Sequence, residues 1–425
     1  MKKRQVLVLG GGAAGLFAAI AAAEAGASVV LAERNPFCGK KLNITGKGRC
    51  NMTNACDLDV FLANVPVNPR FLYRALTDFS TADTVAFFEA HGVPTKTERG
   101  RRVFPVSDRA RDVTDCLTRV AKERGVRILR FEGAKLAFAE QDGVRTVCGL
   151  TGLRGGRTAP ETIPCDRLIL ATGGASYPAT GSTGDGYRLA AAAGHTIVSP
   201  KPSLVPLVSS DPFCKACMGL SLRNVGATFL RNGKTLYAEQ GELLFTHFGV
   251  SGPIVLSASA HLREGYPVTL RLDMKPALDE KMLDQRLLRE FSAHSGRDLR
   301  NCMNALLPAK MIDPFLQKLG ISGTEKLHSL SRETRKMLCE GLKCIELELT
   351  GTRPIAEAII TSGGVAVTEV NPRTMASRKV RGLYFAGELL DVDAYTGGYN
   401  LQIAFATGRL AGLSAATDEE SNKIT

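Results

Sequence analysis

Three glycines near the N-terminus have the spacing of a dinucleotide-binding turn. Gly10, Gly12 and Gly15 follow the apolar run Val6–Leu9. In such a turn the first glycine permits a sharp bend, the second lets a pyrophosphate reach the backbone, and the third lets helix and strand pack closely. Glu33 follows the next apolar run, where its carboxylate can accept hydrogen bonds from ribose hydroxyls. The pattern predicts bound NAD or FAD, and the acid disfavours a ligand with a 2′-phosphate.

The elements around this turn read as one β-α-β unit. Val6–Leu9 is a buried strand, Ala13–Ala25 an Ala-rich helix that stops at Gly26, and Ser28–Ala32 the second strand. The uncharged run Val6–Ala23 also resembles a signal peptide or a membrane span. Its glycines and alanines supply little apolar transfer energy, so we expect a cytoplasmic protein without membrane insertion.

Composition and charge narrow the class of protein. The chain has 425 residues, 44% of them hydrophobic and 23% charged, which excludes disorder, coiled coil and collagen. The net charge of +12 favours anionic partners. The 11 cysteines are an odd number scattered along the chain, which is typical of free thiols rather than a disulfide framework. Cys214 and Cys217 form the one C-x-x-C pair, and no second pair completes a zinc site, so we predict no metal.

Further elements follow the first unit. A Gly- and Lys-rich loop over 35–54 is too polar for the core and too long for a simple connection. After it, the patterns predict helices and strands at the following positions: helices Pro69–Phe79, Ser80–His91 and Ala110–Arg124, then strands Val126–Leu129, Val144–Leu150 and Arg167–Ala171. After His195 the chain changes to short alternating segments, and from Pro276 to about Lys343 it has helical periodicity.

Two late segments extend the nucleotide-binding pattern. A strand over 382–386 ends at Gly387 and Glu388, and Gly398 precedes a helix predicted over Tyr399–Leu413. With these segments the chain resembles flavoproteins of the glutathione-reductase type, in which the first β-α-β unit binds the ADP half and a late strand and helix hold the flavin. The resemblance favours FAD over NAD.

Four longer motifs make the resemblance narrower: Gly39–Asn51, Tyr177–Gly186, Phe245–Pro253 and Ala386–Gln402. They resemble a bacterial family of FAD-dependent oxidoreductases that includes the aminoacetone oxidases and the BaiN-type 3-dehydro-bile acid Δ4,6-reductases. The resemblance implies an α/β fold with a Rossmann-like FAD domain interrupted by a β-barrel-like segment and a small helical segment. We expect the FAD domain over 1–195 and 352–425, the β-rich domain over 196–275 with a return at 346–351, and the helical subdomain over 276–345.

We predict FAD contacts from the two glycine turns, the loop and the strand ends. The predicted FAD-binding residues are Gly10, Gly12, Ala13, Ala14, Gly15, Glu33, Arg34, Lys40, Lys41, Thr45, Gly46, Gly48, Arg49, Cys50, Asn51, Ala171, Thr172, Gly173, Gly387, Glu388, Asp393, Gly398, Tyr399, Asn400 and Leu401. The basic loop can equally be a solvated surface, but Gly46 and Gly48 permit close backbone approach to a ligand.

Three residues are candidates for substrate chemistry: His247, Tyr395 and Arg49. Hydride transfer at a carbon also requires a proton donor or acceptor. His247 lies in a segment bounded by glycines and is as well explained by packing. Tyr395 follows Asp393 and precedes a Gly-Gly turn, where its phenol can donate a proton.

The expected function is FAD-dependent hydride transfer with a small or steroid-like molecule, most readily reduction of an activated C=C bond. NADH or NADPH is a candidate transient reductant, and the oligomeric state stays open. One alternative is amine oxidation with O2, as in the aminoacetone oxidases. A second is a nucleic-acid-modifying flavoprotein, suggested by Arg99–Arg102, Arg109 and Arg111 but disfavoured because no RNA-binding motif with interleaved aromatic residues is present. A flavin-bearing redox partner without its own substrate is a third class.

Overall fold

Strands and helices alternate through the first third of the chain. The computed structural model describes residues 3–141, 143–262 and 265–417. The strands are Gln5–Leu9 (β1), Ser28–Glu33 (β2), Thr53–Asn54 (β3), Thr95–Glu98 (β4), Arg102–Pro105 (β5), Arg127–Gln141 (β6), Val144–Arg154 (β7), Glu161–Pro164 (β8), Arg167–Leu170 (β9), Ile197–Ser203 (β10), Leu207–Val208 (β11), Ser221–Arg231 (β12), Lys234–Thr246 (β13), Gly249–Ser251 (β14), Val268–Asp273 (β15), Ile345–Leu349 (β16), Gly351–Thr352 (β17), Ile360–Val365 (β18) and Leu383–Phe385 (β19).

The α-helices carry the side chains that cover these strands. They are Ala13–Glu24 (α1), Leu58–Ala63 (α2), Tyr73–Asp78 (α3), Thr81–Ala90 (α4), Ala110–Glu123 (α5), Asp185–Ala192 (α6), Pro212–Ala216 (α7), Pro253–Ser259 (α8), Glu280–Ala293 (α9), Leu299–Cys302 (α10), Ala309–Leu319 (α11), Arg332–Lys343 (α12) and Tyr399–Ala416 (α13). Of the helices in the described ranges, none combines the length and hydropathy that crossing a membrane requires.

The chain divides into two units. The first, which we call the Rossmann unit, contains the residues up to Ser203 and those from Ile355 onward. The second, the inserted unit, is Leu204–Pro354. A seven-stranded sheet with the order β19-β9-β1-β2-β6-β7-β8 forms the centre of the Rossmann unit. Its first five strands are parallel, and β7 and β8 add antiparallel to β6. The predicted Rossmann-like fold built from both ends of the chain is confirmed.

Close helix packing holds the two ends of the chain together. α1 and α13 run side by side, and a Cβ at Gly408 or Gly412 would overlap the carbonyl oxygen of Ala14 or Ala18. Residue numbers rise together along both helices, so the helices are parallel. Glycine at both positions is what allows the two backbones to approach this closely.

Several element boundaries differ from the sequence prediction. β6 continues to Gln141, well beyond the predicted Leu129, because it pairs with β7 over that length. The helix predicted over 69–79 is a 3₁₀ turn, Pro69–Leu72, followed by α3. The predicted loop contains 3₁₀ turns at Leu42–Gly48, interrupted by left-handed residues.

The inserted unit consists of a curled sheet and helices that share one hydrophobic core. Its strand order is β16-β15-β12-β13-β14-β11-β17. The strands at the two ends of this order, β16 and β17, are separated in sequence only by Thr350, whose N–H donates to Val208 O at 2.9 Å. The sheet must therefore curl until its edges meet, which gives the barrel-like form. Leu283 of α9 and Leu338 of α12 share one buried cluster with Leu270 of β15, so the helical segment lies in the same unit as the barrel.

Candidate functional site

The carboxyl ends of the parallel strands meet at the glycine turn. Gly10 has φ 106°, and an ideal Cβ there would lie 2.8 Å from the carbonyl carbon of Ala171 at the end of β9. A Cβ at Gly15 would overlap the Gly10 carbonyl oxygen. Gly10 thus lies in a bend where a side chain would be obstructed, and the lack of a side chain at Gly15 lets α1 pack closely against the turn. In open parallel sheets this edge is where ligands bind.

The second glycine leaves the start of α1 open. Gly12 is the N-cap of α1, and no atom in the described part of the chain lies within 4 Å of an ideal Cβ there. No side chain of the described residues caps the helix. The first N–H groups of α1, from half-buried Ala13 and buried Ala14, are therefore available to an anion.

Glu33 fixes the turn from the neighbouring strand. Its Oε2 accepts from Gly11 N at 2.7 Å, and its Oε1 accepts from the backbone N and side-chain Nδ2 of Asn35, each at 2.7 Å. Burial, with the Glu33 charge beside it, raises the pKa of the Cys38 thiol to about 12, so the thiol stays protonated. The hydrogen bonds from Gly11 and Asn35 hold the Glu33 carboxylate at the end of β2, and its remaining lone pairs can accept from a ribose.

The other charged residues predicted at the strand ends have protein partners. Arg34 pairs with Glu132 and, at 2.9 Å, with Asp185. Lys41 Nζ donates to Glu388 Oε2 and to Ser176 Oγ, both at 2.7 Å. The same carboxylate accepts from Ser176 Oγ at 3.1 Å and from Thr361 N at 2.9 Å. Lys41 and Glu388 therefore tie the loop to the ends of β9 and β19.

The loop over 35–54 contains a tight turn in which Gly46 and Lys47 are exposed to solvent. Thr45 Oγ1 donates to Leu42 O at 2.7 Å, and Gly46, Lys47 and Gly48 all have positive φ. An ideal Cβ at Gly48 meets no described atom within 4 Å. Cys50 is also left-handed at φ 60° and fully buried, which raises its pKa to about 12. Lys40, before the turn, is half-buried.

Arg49 is held by two carboxylates. Its Nε donates to Asp108 Oδ1 at 2.8 Å, its Nη2 pairs with Glu98, and its guanidinium lies 4.2 Å from the Phe104 ring centroid. The hydrogen bonds that Arg49 donates to Glu98 and Asp108 raise the pKa of Arg49 above its usual value. The residue is thus a permanent cation that can bind but cannot supply a proton.

Side-chain amides fix the start of α13. A Cβ at Gly398, the N-cap, would overlap Thr53 O. Asn51, in the amide orientation that satisfies both of its ends, accepts from Gly398 N at 3.1 Å. Asn400 Oδ1 accepts from Ala394 N at 3.0 Å, and its Nδ2 donates to Ala394 O at 2.7 Å and Tyr395 O at 3.2 Å. The Asn400 side chain therefore shapes the loop before α13.

A buried glutamine that the sequence analysis missed anchors the same helix. Gln402 Oε1 accepts from the hydroxyls of Thr53 and Thr84, each at 2.7 Å. Its Nε2 donates to Phe79 O at 3.0 Å and Ser80 O at 3.1 Å. The residue is fully buried, and all its hydrogen-bonding capacity is used. In the sequence, the only indication of this anchoring role is its position four residues after Gly398, in the first turn of the predicted helix.

The remaining predicted FAD contacts follow β9 and β19 or lie next to the start of α13. Gly387 (φ 72°) donates to Thr407 Oγ1, and an ideal Cβ there would lie 2.7 Å from Ala14 Cβ. Half-buried Thr172 and Gly173 follow β9, and Thr172 Oγ1 is buried without a hydrogen-bond partner among the described residues. Three members remain. Asp393 is buried in the segment before α13, and Leu401 is half-buried. Tyr399 is buried, with its ring centroid 5.0 Å from that of Phe61.

The three candidates for substrate chemistry fall in different places. Tyr395 is half-buried, and its N–H donates to Asn64 O at 3.0 Å. Arg49 lies beside the sheet of β3, β5 and β4. His247 lies in the inserted unit, exposed in the two-residue turn between β13 and β14.

The two helix starts are offset along a common direction. Gly408 of α13 packs against Ala14 of α1. From this contact, the first residue of α13, Tyr399, is nine residues back, whereas the first residue of α1, Ala13, is one residue back. At 1.5 Å per residue, α13 begins about 12 Å beyond the start of α1. An open amide cluster for phosphates and a second helix start further along fit a ligand that is anionic at one end and elongated, as FAD is. The buried, unpartnered Thr172 hydroxyl at the same edge fits a polar ligand.

Comparison with known proteins gives one family over nearly the whole chain. A model of the HI0933-like protein Rossmann domain matches residues 4–414. A 3-dehydro-bile acid delta(4,6)-reductase of Clostridium scindens is 34% identical over 417 residues, covering 96% of this chain and 98% of that protein. A ribosomal RNA dihydrouridine synthase of Escherichia coli is 31% identical over 408 residues, covering 96% of each chain.

Solved structures show the same fold at low identity. A 3-ketosteroid Δ1-dehydrogenase from Sterolibacterium denitrificans has a TM-score of 0.53 at 14% identity, covering 98% of this chain and 100% of that one. A 3-ketosteroid-Δ4-(5α)-dehydrogenase from Rhodococcus jostii has a TM-score of 0.51 at 16% identity, with 98% and 97% covered. The chain belongs to the HI0933-like Rossmann-domain family, and it is an FAD-dependent oxidoreductase.

Proposed function

We propose that this protein reduces a C=C bond conjugated to a carbonyl group. The observation that carries the flavin part is the geometry of the two parallel helix starts, one open and one held rigid. Two relatives support the bond type. A 3-dehydro-bile acid delta(4,6)-reductase, by its name, acts on ring double bonds conjugated to a ketone. A dihydrouridine synthase saturates the uracil double bond that is conjugated to a carbonyl.

The residues for FAD follow from the site. The amides of Ala13 and Ala14 would hold the pyrophosphate, Glu33 would accept from the ribose, and the first N–H groups of α13 would stabilise the negative charge that the flavin gains on reduction. The dipole of α13 contributes about 0.3–1 kcal/mol there, and up to about 2 when partly buried. When bound and reduced by NADH or NADPH, FAD supplies a hydride to one carbon of the substrate double bond.

The neighbouring carbon must gain a proton, and we assign that role to Tyr395. Its backbone is held on both sides, by Asn64 O and by the amide of Asn400. Arg49, as a permanent cation, is suited to hold the substrate carbonyl or an anionic group. Replacement of Tyr395 by Phe should slow single-turnover reduction of substrate by at least about tenfold while reduction by NADH or NADPH is unchanged. His247 is the competing donor, and His247→Gln is the matched control.

The leading substrate is a steroid-like enone. The relative of higher identity acts on a 3-dehydro-bile acid.

A second candidate is uracil in RNA. It is favoured by the net charge of +12 and by the exposed arginines at the tip of the β4–β5 hairpin. Two relatives are ribosomal RNA dihydrouridine synthases. The chemistry at the double bond is the same in both candidates, so the substrates differ only in how they are held.

Anaerobic reduction followed by reoxidation tests the proposal. The purified yellow protein is bleached with NADH or NADPH and then mixed with a steroid enone, with uridine-containing RNA, or with O2. We expect an enone or the RNA to restore the flavin absorbance with matching loss of the substrate double bond. Bleaching by aminoacetone followed by H2O2 release in air would establish an amine oxidase instead and overturn the proposal.

A further inference from the structure

The tip of the β4–β5 hairpin concentrates positive charge. Glu98 pairs with Arg102 in register, which leaves Arg99, Gly100 and Arg101 as a three-residue turn. Arg99, Arg101 and Arg102 are all exposed, and Arg102 Nε donates to Arg99 O at 3.0 Å. Within the described ranges, Arg99 and Arg101 have no carboxylate partner.

The arginines that follow on α5 differ in this respect. Arg109 pairs with Asp112 at 3.2 Å, and Arg111 pairs with Asp115 at 3.4 Å. Their charge is offset within the same helix. The hairpin tip therefore carries the uncompensated part of this basic segment.

The tip is attached to the start of α13. Asn54 Nδ2 donates to Gly100 O and to Gly397 O, both at 3.0 Å. Ala55 N donates to Arg101 O at 2.7 Å. Burial raises the pKa of Tyr399, the first residue of α13, to about 12, and the positive charge of Arg101 opposes that rise. The guanidinium of Arg101 thus acts electrostatically on the helix start that we assign to the flavin.

The backbone of Arg101 is strained. Its φ is 58°, in the left-handed region where glycine or asparagine is favoured. Strained residues of this kind persist where the surrounding structure enforces them, and they concentrate at functional sites. An arginine at this position costs stability, which glycine would avoid, so the guanidinium itself is the reason to look for a ligand.

We propose that Arg99 and Arg101 bind backbone phosphates of an RNA substrate beside the flavin end of the site. Guanidinium groups form paired hydrogen bonds with phosphate oxygens. Two unpaired guanidiniums with Arg102 next to them exceed what a single carboxylate of a steroid acid requires, and they match successive phosphates of a chain. Asn54 fixes the tip at the helix start, so phosphate binding there positions a neighbouring base at the site. This inference rests on the RNA form of the proposed function.

Binding of a labelled RNA tests the proposal without turnover. The FAD-loaded protein is titrated against a fluorescein-labelled RNA stem-loop with uridines in its loop, at several salt concentrations. We expect Arg99→Gln with Arg101→Gln to weaken binding at least about tenfold. The slope of log affinity against log salt should fall by about 0.7 for each lost phosphate contact with single-stranded RNA. Reduction of a steroid enone, if the protein catalyses it, should be unchanged.

Two further variants keep the test decisive. Arg373→Gln removes one exposed arginine elsewhere in the Rossmann unit and should change affinity and slope far less. Arg101→Gly removes the guanidinium and relieves the left-handed strain, so it should fold at least as stably as the wild type and still bind RNA more weakly.

The possible outcomes separate this inference from the proposed function. Failure of the wild-type protein to bind RNA, an unchanged salt slope in the double variant, or an equal loss in Arg373→Gln would overturn the inference. If RNA binding depends on Arg99 and Arg101 but no C=C bond is reduced, the proposed function fails and the inference stands. If uridine in RNA is reduced and the variants bind normally, only the inference fails.

Discussion

The starts of α1 and α13 face the same edge of the Rossmann unit but are built differently. Gly12, before α1, has open space around it, and no side chain of the described residues caps that helix. Gly398, before α13, is pressed against Thr53 O, and the amides of Asn51 and Asn400 hold its surroundings. The first start leaves room for a ligand to contact the backbone. The second has its position fixed by the protein.

The difference matches what each end of FAD requires. A pyrophosphate carries its own charge and binds wherever free amides can be approached. A flavin must hold its ring still relative to a second molecule, since hydride transfer depends on alignment. We therefore expect a substitution at the open N-cap of α1, Gly12, to act on FAD affinity and substitutions around α13 to act on stability and redox behaviour.

The largest effect is expected at the glycine that joins α1 to its strand. Gly15→Ala places a Cβ on the Gly10 carbonyl oxygen, inside the packed core. We expect a loss of about 3 kcal/mol or more in the free energy of unfolding, with little soluble protein. Urea unfolding of whatever folds would check this. A variant as stable as the wild type would show that helix and strand are less closely packed than described.

Gln402→Leu should give the next largest effect. The change removes four hydrogen bonds in a fully buried place and takes away the Gln402 partner of Phe79 O and of the Thr53 hydroxyl, which we expect to cost about 2–4 kcal/mol. Thermal unfolding measures the loss, and the reduction potential of the remaining folded protein should shift as α13 moves. Gln402→Glu keeps the two hydroxyl contacts but sets a carboxyl oxygen against Phe79 O and Ser80 O in a buried place, so it should be destabilised as well. An unaltered melting temperature in Gln402→Leu would contradict the rigid placement of α13.

Gly12→Ala sharpens the comparison because it should spare the fold. Its φ is −82°, a conformation open to alanine, and the new Cβ meets no described atom. We expect unchanged unfolding of the FAD-free protein but FAD affinity weakened at least about tenfold, because the methyl occupies the approach of the pyrophosphate. Equilibrium titration with FAD measures the affinity. Normal affinity would place the pyrophosphate elsewhere.

Asn400→Asp should lower the flavin potential. The carboxylate adds negative charge at the start of α13 and cannot donate to Ala394 O or Tyr395 O. We expect a fall of tens of millivolts, where about 30 mV corresponds to about 1.4 kcal/mol for two electrons. Asn400→Ala loses the same donors and also the acceptor of Ala394 N without adding charge, so a fall in potential confined to Asn400→Asp would reflect the added charge. If the two variants had equal reduction potentials, charge at the start of α13 would not act on the flavin.

How far the sequence predicts this site depends on how local each contact is. Gly10, Gly12 and Gly15 act on their immediate neighbours, so their spacing sufficed. Arg49 was assigned to FAD or substrate from its charge alone. Its partners Glu98 and Asp108 lie far away in sequence, and nothing in the local pattern indicates which carboxylate a folded chain will bring to it.

Longer elements show the same limit. β6 extends past Leu129 because β7 pairs with it, and the interruption at Gly133 hides that continuation. Asn400 was predicted to contact FAD from its place at the start of a helix. In the structure its side-chain amide bonds Ala394 and Tyr395, and these contacts depend on how the loop before α13 turns.

A residue away from both helix starts provides the smallest effect and a control for them. Burial lowers the pKa of His195 to about 4, with Glu369 acting in the opposite direction. The unfolded value is higher, so the folded state is stabilised above about pH 6.5 and loses that stability as the pH falls toward 4. We expect a loss of about 1 kcal/mol between pH 7 and 5.5, absent in His195→Gln, with FAD affinity unaffected. Urea unfolding at several pH values checks the slope. A His195→Gln protein with the same slope would assign the pH dependence to other groups.

The pairing of β11 with β17 has a consequence for how the inserted unit is attached. Leu207 lies opposite Thr352, so the chain enters and leaves this unit through two hydrogen-bonded neighbours. Because its two ends are adjacent, such a segment can be lengthened, exchanged or replaced by a short turn. The two points of the Rossmann unit to which it is connected need not move apart. The two ends of the insertion are thus joined to each other within the insertion itself.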